Sequence, residues 1–402
     1  MDEINSIEIY RKKQKKEKRK RRIIVILVIL ILVCIFIGAG SVIKSMNESN
    51  ALPVYDESEI NNGFPITMPT SAGYTMNLMD GDISLLTDTT LYVYNSAGSR
   101  IFSYSHIYKN PMMQTAGKRT LIYDSGGKKF AVATRKKVVF EKELTDDITF
   151  AQIGADGKSA VITESDRYSA VLRIFSRSGE ELFTWSSTEK ILSFDFTYDN
   201  NGCFVSTAST DKGKIVSVIY KFSFKNAESA DWSYTSGGTL AIRLKSHSNG
   251  SVTVTGDNSV FVVKDGNLEN EYKFTLPISA YSASEDVVSV LLSDSENRKS
   301  ILLAFNISGK LLGEASIDAD SADIFADKSD IYVLEEKKIE KYNSSLASVS
   351  QYTLDSEYNK LKIYKDHFYL LSDTIIGKVG MKADNQSDSS SSSEQSSDIS
   401  SQ

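Results

Sequence analysis

The sequence predicts an all-β fold: a β-propeller of eight, alternatively seven, four-stranded blades on a single N-terminal transmembrane helix. Three observations carry this: an uncharged apolar run at Ile23–Ile43, strand-like segments punctuated by tight-turn pairs through residues 71–383, and a turn that recurs about every 40 residues. The composition allows it, because 402 residues with 41% hydrophobic and 24% charged side chains can bury a large core. Five Pro, three His and two Cys exclude a disulfide-stapled or metal-rich scaffold.

Residues 1–22 form a basic cytoplasmic stub with ten Lys or Arg against four acids. That is a net charge of +6, so the rest of the chain carries −12 of the total of −6. The apolar run of residues 23–43 follows without a charge, and at 1.5 Å per residue it crosses a hydrocarbon core of about 30 Å. After it only Lys44 is basic before Arg100, so the positive-inside rule places the N-terminus in the cytoplasm and everything from Lys44 onward outside. A cleaved signal peptide is the competing reading, with Gly38, Ala39, Gly40 and Ser41 as small residues for a peptidase, although the run exceeds the usual apolar length. Cys34 follows Val33 deep in the run, which does not suit lipoprotein processing. Beside a membrane span the basic cluster reads as a topology signal that grips anionic headgroups, and no nucleic-acid partner is expected.

Residues 44–70 form a polar stalk that holds three of the five Pro (Pro53, Pro65 and Pro69), and residues 384–402 form a tail with ten Ser. Cys203 stands alone between them, so no intramolecular disulfide forms outside the membrane, which suits a Gram-positive envelope.

The ectodomain, residues 71–383, shows runs such as Thr90-Leu-Tyr-Val-Tyr94, Phe130-Ala-Val-Ala133, Val252-Thr-Val-Thr255 and Ile301-Leu-Leu-Ala-Phe305. Turn pairs stand between the runs, among them Asp80-Gly81, Asp156-Gly157, Asn201-Gly202 and Asp265-Gly266, and they supply the positive φ that short hairpin loops need. One unit repeats: a strand ending in a bulky apolar residue, a polar residue, then a small-residue turn. Its anchors are Tyr94, Phe140, Phe175, Phe222, Val263, Phe305, Tyr342 and Ile376, spaced 46, 35, 47, 41, 42, 37 and 34 residues apart. That period is one propeller blade. Phe140 and Ile376 align poorly, which leaves seven blades open. The last unit offers only three strands, so a strand from Pro65–Met68 or Tyr74–Met79 is expected to complete it and close the ring.

Arg173-Ile-Phe-Ser-Arg-Ser-Gly-Glu-Glu-Leu-Phe-Thr-Trp185 resembles the end of a blade in quinoprotein-like and WD40-like propellers. The order of the chain resembles an uncharacterised family of single-span, membrane-anchored propeller proteins from Clostridia-type Gram-positive bacteria. The similar segments are the basic stub and span, Leu91-Tyr-Val-Tyr-Asn-Ser-Ala-Gly98, His106-Ile-Tyr-Lys-Asn-Pro111 and Gly126-Gly-Lys-Lys-Phe-Ala-Val132. These are structural turns, and the resemblance brings no activity with it. Quinoprotein dehydrogenases place a Trp in nearly every blade. Here Trp185 and Trp232 are the only two, which argues against a quinone, and Trp185 is expected to pack between blades.

The candidates for chemistry are sparse. His106, His247 and His367 fall in three different blades without metal-ligand spacing, and no G-x-S-x-G elbow accompanies the many Ser. The acidic clusters are Asp80 with Asp82, Asp318 with Asp320 and Asp323, and Asp56 with Glu57 and Glu59; none has the loop geometry of an EF-hand. Tyr92, Tyr94, Tyr104 and Tyr108 suit either strand packing or sugar stacking. No catalytic, cofactor-binding or metal residue is assigned, and no cofactor is expected. The sequence therefore predicts a non-enzymatic interaction module outside the cell membrane, anchored in the lipid bilayer through residues 23–43, with an envelope protein or cell-wall polymer as partner. A glycan-active hydrolase or lyase, or a wall-glycan binder, is the alternative, because paired carboxylates leave no local spacing.

Overall fold

The computed structural model describes residues 63–68, 73–225, 229–294, 299–318 and 323–381, all inside the compact unit Ile60–Gln402. The stub, the span, most of the stalk and the Ser-rich tail lie outside the described residues, as do Asp56, Glu57, Glu59 and Asp320. Among the described residues every regular element is a strand, and no helix is long and apolar enough to cross a membrane.

The strands form eight antiparallel sheets of four. Blades 1 to 7 comprise residues 75–105, 111–143, 148–187, 190–237, 241–273, 278–318 and 323–353, with the strands of each in chain order. Blade 8 takes three strands from residues 360–380 and its outer strand, Ile66–Thr67, from the other end of the chain. Ile66 pairs with Ile376 and Thr67 with Ile375, and the Met68 N–H donates to the Thr374 carbonyl at 2.9 Å. The ring therefore closes through the first of the two expected segments. Thr75–Met79 instead opens blade 1.

Eight blades replace the alternative of seven, and the recurring turn explains where the count was blurred. Seven of the eight anchors lie on third strands, whereas Phe140 lies on the outer strand of blade 2, Val138–Glu143. The third strand of that blade, Lys129–Ala133, ends in Ala and is followed by Thr134-Arg-Lys-Lys137, which has neither bulky anchor nor Gly. Phe140 fills the corresponding space, edge-on to Phe130 with centroids 6.0 Å apart. One turn pair also differs from expectation. At Asn201-Gly202 the positive φ belongs to Asn200, at 57°, while Gly202 starts the second strand of blade 4. A Cβ on Gly202 would lie 2.1 Å from the Phe222 carbonyl oxygen, so the strands pack more closely than any side chain allows.

First strands of neighbouring blades approach one another and line the centre of the ring. Second and third strands are covered on both faces by adjacent blades, so Asp82–Leu86, Ser159–Thr163 and Val252–Gly256 are buried at every residue. Outer strands are covered on one face only. Arg100–Ser105 alternates between half-buried and exposed, the period of a strand with one wet side. The core accordingly lies between blades: Leu172 and Phe183 of blade 3 pack with Phe194, Val205 and Phe222 of blade 4. Each such buried side chain contributes about 1.5–3 kcal/mol relative to exposure.

Polar staples tie the inner strands together. Asp195 accepts the Ser246 N–H at 2.7 Å, the Ser282 hydroxyl oxygen accepts the Ala326 N–H at 2.8 Å, and Asp323 accepts the Leu361 N–H at 3.1 Å. Each links a blade to the next, where a first strand would otherwise leave its edge donors unpaired.

Because successive strands alternate in direction, turns from first to second and from third to outer strands emerge on one face of the ring. Turns from second to third strands, and connections between blades, emerge on the other. On the first face Gly63 lies against the Gly98 turn of blade 1, where a Cβ would sit 2.7 Å from the Gly63 carbonyl carbon. The Met381 N–H donates to Asp366 in a turn of blade 8 on the same face. We refer to this as the terminal face, and to the opposite one as the distal face.

Candidate functional site

The three histidines stay apart. His106 lies in the connection from blade 1 to blade 2, where its Nδ1 accepts the Tyr108 N–H at 3.3 Å and its ring stacks on Tyr108 at 4.8 Å. His247 lies in a terminal-face turn of blade 5 with its Nε2 2.8 Å from the Thr253 hydroxyl, and burial holds its pKa down to about 4. His367, in blade 8, contacts Asp366 at 2.9 Å. Among the described residues no group of three His, Cys, Asp or Glu is placed to hold a metal. Cys203 is buried in the blade 3 and blade 4 core, where burial pushes its thiol up.

The acidic clusters are spent on holding blades together. Lys118 of blade 2 lies 3.6 Å from Asp80, Arg135 of blade 2 lies 3.0 Å from Asp82, and the Tyr364 hydroxyl of blade 8 donates to Asp80 at 3.1 Å. Burial raises the pKa of Asp82 against the pull of Arg135. Asp323 pairs with Lys360 at 3.6 Å besides its staple, and Asp320, its expected neighbour, lies outside the described residues. Tyr92, Tyr94 and Tyr104 lie on strands and Tyr108 in the connection from blade 1 to blade 2; Tyr94 and Tyr108 are buried, and burial pushes the Tyr94 hydroxyl up to about 12. Trp185 packs against Tyr220 and Phe222 across the blade 3 and blade 4 seam, at 5.3 and 4.8 Å, as expected of a blade-packing residue. Trp232 packs on Phe204 at 5.8 Å.

Two of the segments that carry the family resemblance, 106–111 and 126–132, meet at Asp124. Asp124 Oδ1 accepts the N–H groups of Lys109 and Asn110 at 3.0 and 2.8 Å, which fixes the connection His106–Asn110. A Cβ on Gly127 would lie 2.2 Å from Asp124 Oδ2, so the glycine pair makes room for that carboxylate. Sequence reasoning missed Asp195, the half-buried acid whose carboxyl desolvation raises to about 6 in the company of Lys245. Its sole signal is a polar residue alternating with Phe194 and Phe196 on an inner strand.

Most of the ring is regular, and blades 3 and 4 depart from that regularity on the distal face. The connection between the second and third strands of blade 3, residues 164–169, is the longest of its kind among the eight blades, where the others have two to four residues. In blade 4 the second and third strands, Gly202–Asp211 and Lys214–Ser223, run ten residues each. The first strand of that blade pairs only as far as Ala208 and the outer strand only from Val216, so the tip of the hairpin stands beyond its own sheet. Ile215 on the tip is 55% exposed. The inner strands of blades 3 and 4 carry bulges at Thr149 and Leu192, a feature they share with blades 5 and 6 at Ile242 and Ser279. Bulges bend a strand and re-aim its side chains.

Between these blades lies a cleft of about 320 Å³ lined by Thr149, Glu164, Ser165, Tyr168, Lys190 and Ile191, among others. Next to it the Ser169 hydroxyl donates to the Thr188 carbonyl at 2.7 Å and the Thr207 hydroxyl donates to Glu189. Tyr168 stands exposed at the rim. The mouth thus offers an apolar ring, a cation and an anion beside a protruding β-hairpin, a combination suited to gripping a chain and lacking an activated nucleophile. A second cleft of about 310 Å³ lies between blades 4 and 5 on the terminal face. Asp199 and Asp231 line it, and Asp199 is engaged by the Thr197 hydroxyl at 2.6 Å and by Asn201, contacts that lower its pKa and hold its own turn.

Comparison with known proteins gives the same architecture. The fold is similar to BamB from Moraxella catarrhalis, with a TM-score of 0.54 and 13% identity over 79% of this chain and 99% of that one. It is also similar to Sqt1 from Saccharomyces cerevisiae, with a TM-score of 0.59 and 10% identity over 80% of this chain and 100% of that one. At these identities the likeness is one of fold. Among curated protein sequences none matches this chain. Residues 51–381 match the sequence profile of a family of unknown function, DUF5711, and the chain belongs to that family.

Proposed function

We propose that this protein is a single-span, membrane-anchored propeller on the outer side of the cell membrane that serves as a non-enzymatic interaction module of the envelope. It would grip a protein partner on the distal face at blades 3 and 4. The observation that carries this reading is the break in the ring's regularity: extended connection, protruding hairpin and cleft coincide at one seam, with Tyr168 and Ile215 exposed there. Exposed aromatic and aliphatic side chains beside charged groups are the usual anchors of protein recognition. Of the acids and histidines singled out as candidates for chemistry, Asp80, Asp82 and Asp323 tie neighbouring blades together, and His106, His247 and His367 make local contacts. Both Gly63 and Met381 lie on the terminal face, so an anchor at residues 23–43 leaves the distal face free to meet partners.

The test is in-cell photo-crosslinking of the full chain, with the reactive residue at 168 or 215 and a control at Leu268, on the outer strand of blade 5. One stoichiometric protein adduct from 168 and 215, absent from the control, is expected. Adducts with wall glycan alone would move the assignment to the glycan-binding reading.

A further inference from the structure

The terminal-face end of blade 2 gathers Lys118, Arg119, Arg135, Lys136 and Lys137, and the two turns that bear them, residues 117–119 and 134–137, contain no acid. Blade 1 answers two of the five cations, Lys118 through Asp80 and Arg135 through Asp82. The Lys118 side chain remains 84% exposed. Arg119 Nη1 donates to the Arg177 backbone carbonyl at 2.6 Å, which brings a third arginine, from blade 3, up to the patch. Lys136 and Lys137 stand exposed at the tip of their turn. Five clustered cations and a sixth beside them, against Asp80, Asp82 and the Asp156 that faces Arg119 from blade 3, leave a positive surface in a chain whose net charge is −6.

This patch adjoins the place where the ring's two ends meet. Gly63 lies on the Gly98 turn of blade 1, and Asp80 of blade 1 touches both Lys118 of blade 2 and Tyr364 of blade 8. We propose that the basic end of blade 2 lies against the anionic phospholipid headgroups of the membrane and sets the propeller with its terminal face to the bilayer. The inference rests on residues 23–43 being the anchor. Nineteen residues, 44–62, then separate the bilayer from the ring and reach about 65 Å at most, and because they join the ring on the terminal face they let the cations meet the headgroups. Lys and Arg side chains are drawn to an anionic leaflet within a Debye length of about 8 Å at physiological salt. A leash on the same face raises their effective concentration there. The opposite orientation would turn the patch away and press the distal cleft into the membrane.

Full-length protein reconstituted in vesicles of phosphatidylcholine alone, or with about one-third phosphatidylglycerol, tests this through lysine acylation rates read by mass spectrometry. Anionic lipid is expected to slow labelling of Lys118, Lys136 and Lys137 by about fivefold or more, to leave Lys212 and Lys214 on the distal face unchanged, and to lose its effect at high salt. A Lys136→Glu/Lys137→Glu variant, altered only at exposed turn positions, should keep its unfolding temperature and lose protection at Lys118. Equal labelling in both vesicles would overturn the inference. So would protection that appears only when soluble poly(glycerol phosphate) is added to phosphatidylcholine vesicles, since that outcome assigns the patch to a wall polymer. Protein that floats with neither vesicle would sink the anchoring reading itself, and this inference with it.

Discussion

The Asp195 carboxylate of blade 4 accepts the backbone N–H of Ser246 in blade 5 at 2.7 Å, and the next residue, His247, is held neutral by burial. A carboxyl group that binds its proton too tightly and an imidazole that binds its proton too weakly thus sit on either side of one peptide unit. The sequence marks His247 and passes over Asp195.

These two groups act on stability in opposite directions over nearly one pH window. The folded pKa of Asp195 is raised to about 6, so between pH 4 and 6 the native state keeps a proton that the unfolded chain has lost, and stability falls as pH rises. The folded pKa of His247 is lowered to about 4, so between about pH 4 and 6.5 the unfolded chain binds the extra proton, and stability rises with pH. The contributions of these two groups should therefore nearly cancel from pH 4 to 6. Asp195→Asn keeps the acceptor for Ser246 and removes the half-buried charge. It should gain on the order of 1–2 kcal/mol at pH 7, a figure reduced because the side chain keeps some solvent contact, and should expose the His247 slope. Urea unfolding at pH 4.5 and 7 decides the point, and a variant whose pH dependence equals that of wild type would refute the opposition.

Gly202→Ala should be among the costliest single-methyl changes in blade 4. The added Cβ would lie 2.1 Å from the Phe222 carbonyl oxygen, a backbone atom that cannot swing away. A loss of about 2–3 kcal/mol is expected. Gly213→Ala, at φ +77° on the hairpin tip with nothing within 4 Å of the new methyl, carries only conformational strain and should lose about 1 kcal/mol. Thermal unfolding of the two variants should rank them in that order.

Ile66→Ala tests ring closure. Ile66 is 1% exposed and packs with Met76, Leu85 and Ile376, joining blades 8 and 1 across the two ends of the ring. Truncation there should cost about 2–4 kcal/mol. Hydrogen exchange should show faster opening of Ile375–Gly380 and unchanged protection in blade 4. Uniform loss across all blades would mean that the closing strand is not a local latch.

Much of the fold is legible in the sequence because a blade is a local object. Its strands are consecutive, its turns lie a few residues apart, and strands buried on both faces appear as continuous apolar runs such as Val260-Phe-Val-Val263. The signal weakened where a local marker was replaced by a tertiary one. In blade 2 the third strand ends in Ala133, and Phe140 of the next strand supplies the missing bulk. Asn201-Gly202 reads as a turn pair, yet its glycine answers a carbonyl twenty residues away.

The site was less legible for the same reason. Asp80, Asp82, Asp124 and Asp323 are visible in the sequence as acids, but their partners Lys118, Arg135, Lys109, Asn110, Lys360 and Leu361 belong largely to other blades. No spacing rule links them. Hydrophobic periodicity, turn chemistry and the period of about 40 residues by themselves determined a propeller and one expected anchor, since each depends on neighbours in the chain. The tertiary structure alone decided that Ile66–Thr67 closes the eighth blade, that both ring ends share a face with the blade 2 cations, and that blades 3 and 4 open a cleft on the other. Those outcomes depend on which loops a closed ring brings side by side, and closure joins residues 66 and 376, which no local pattern can pair.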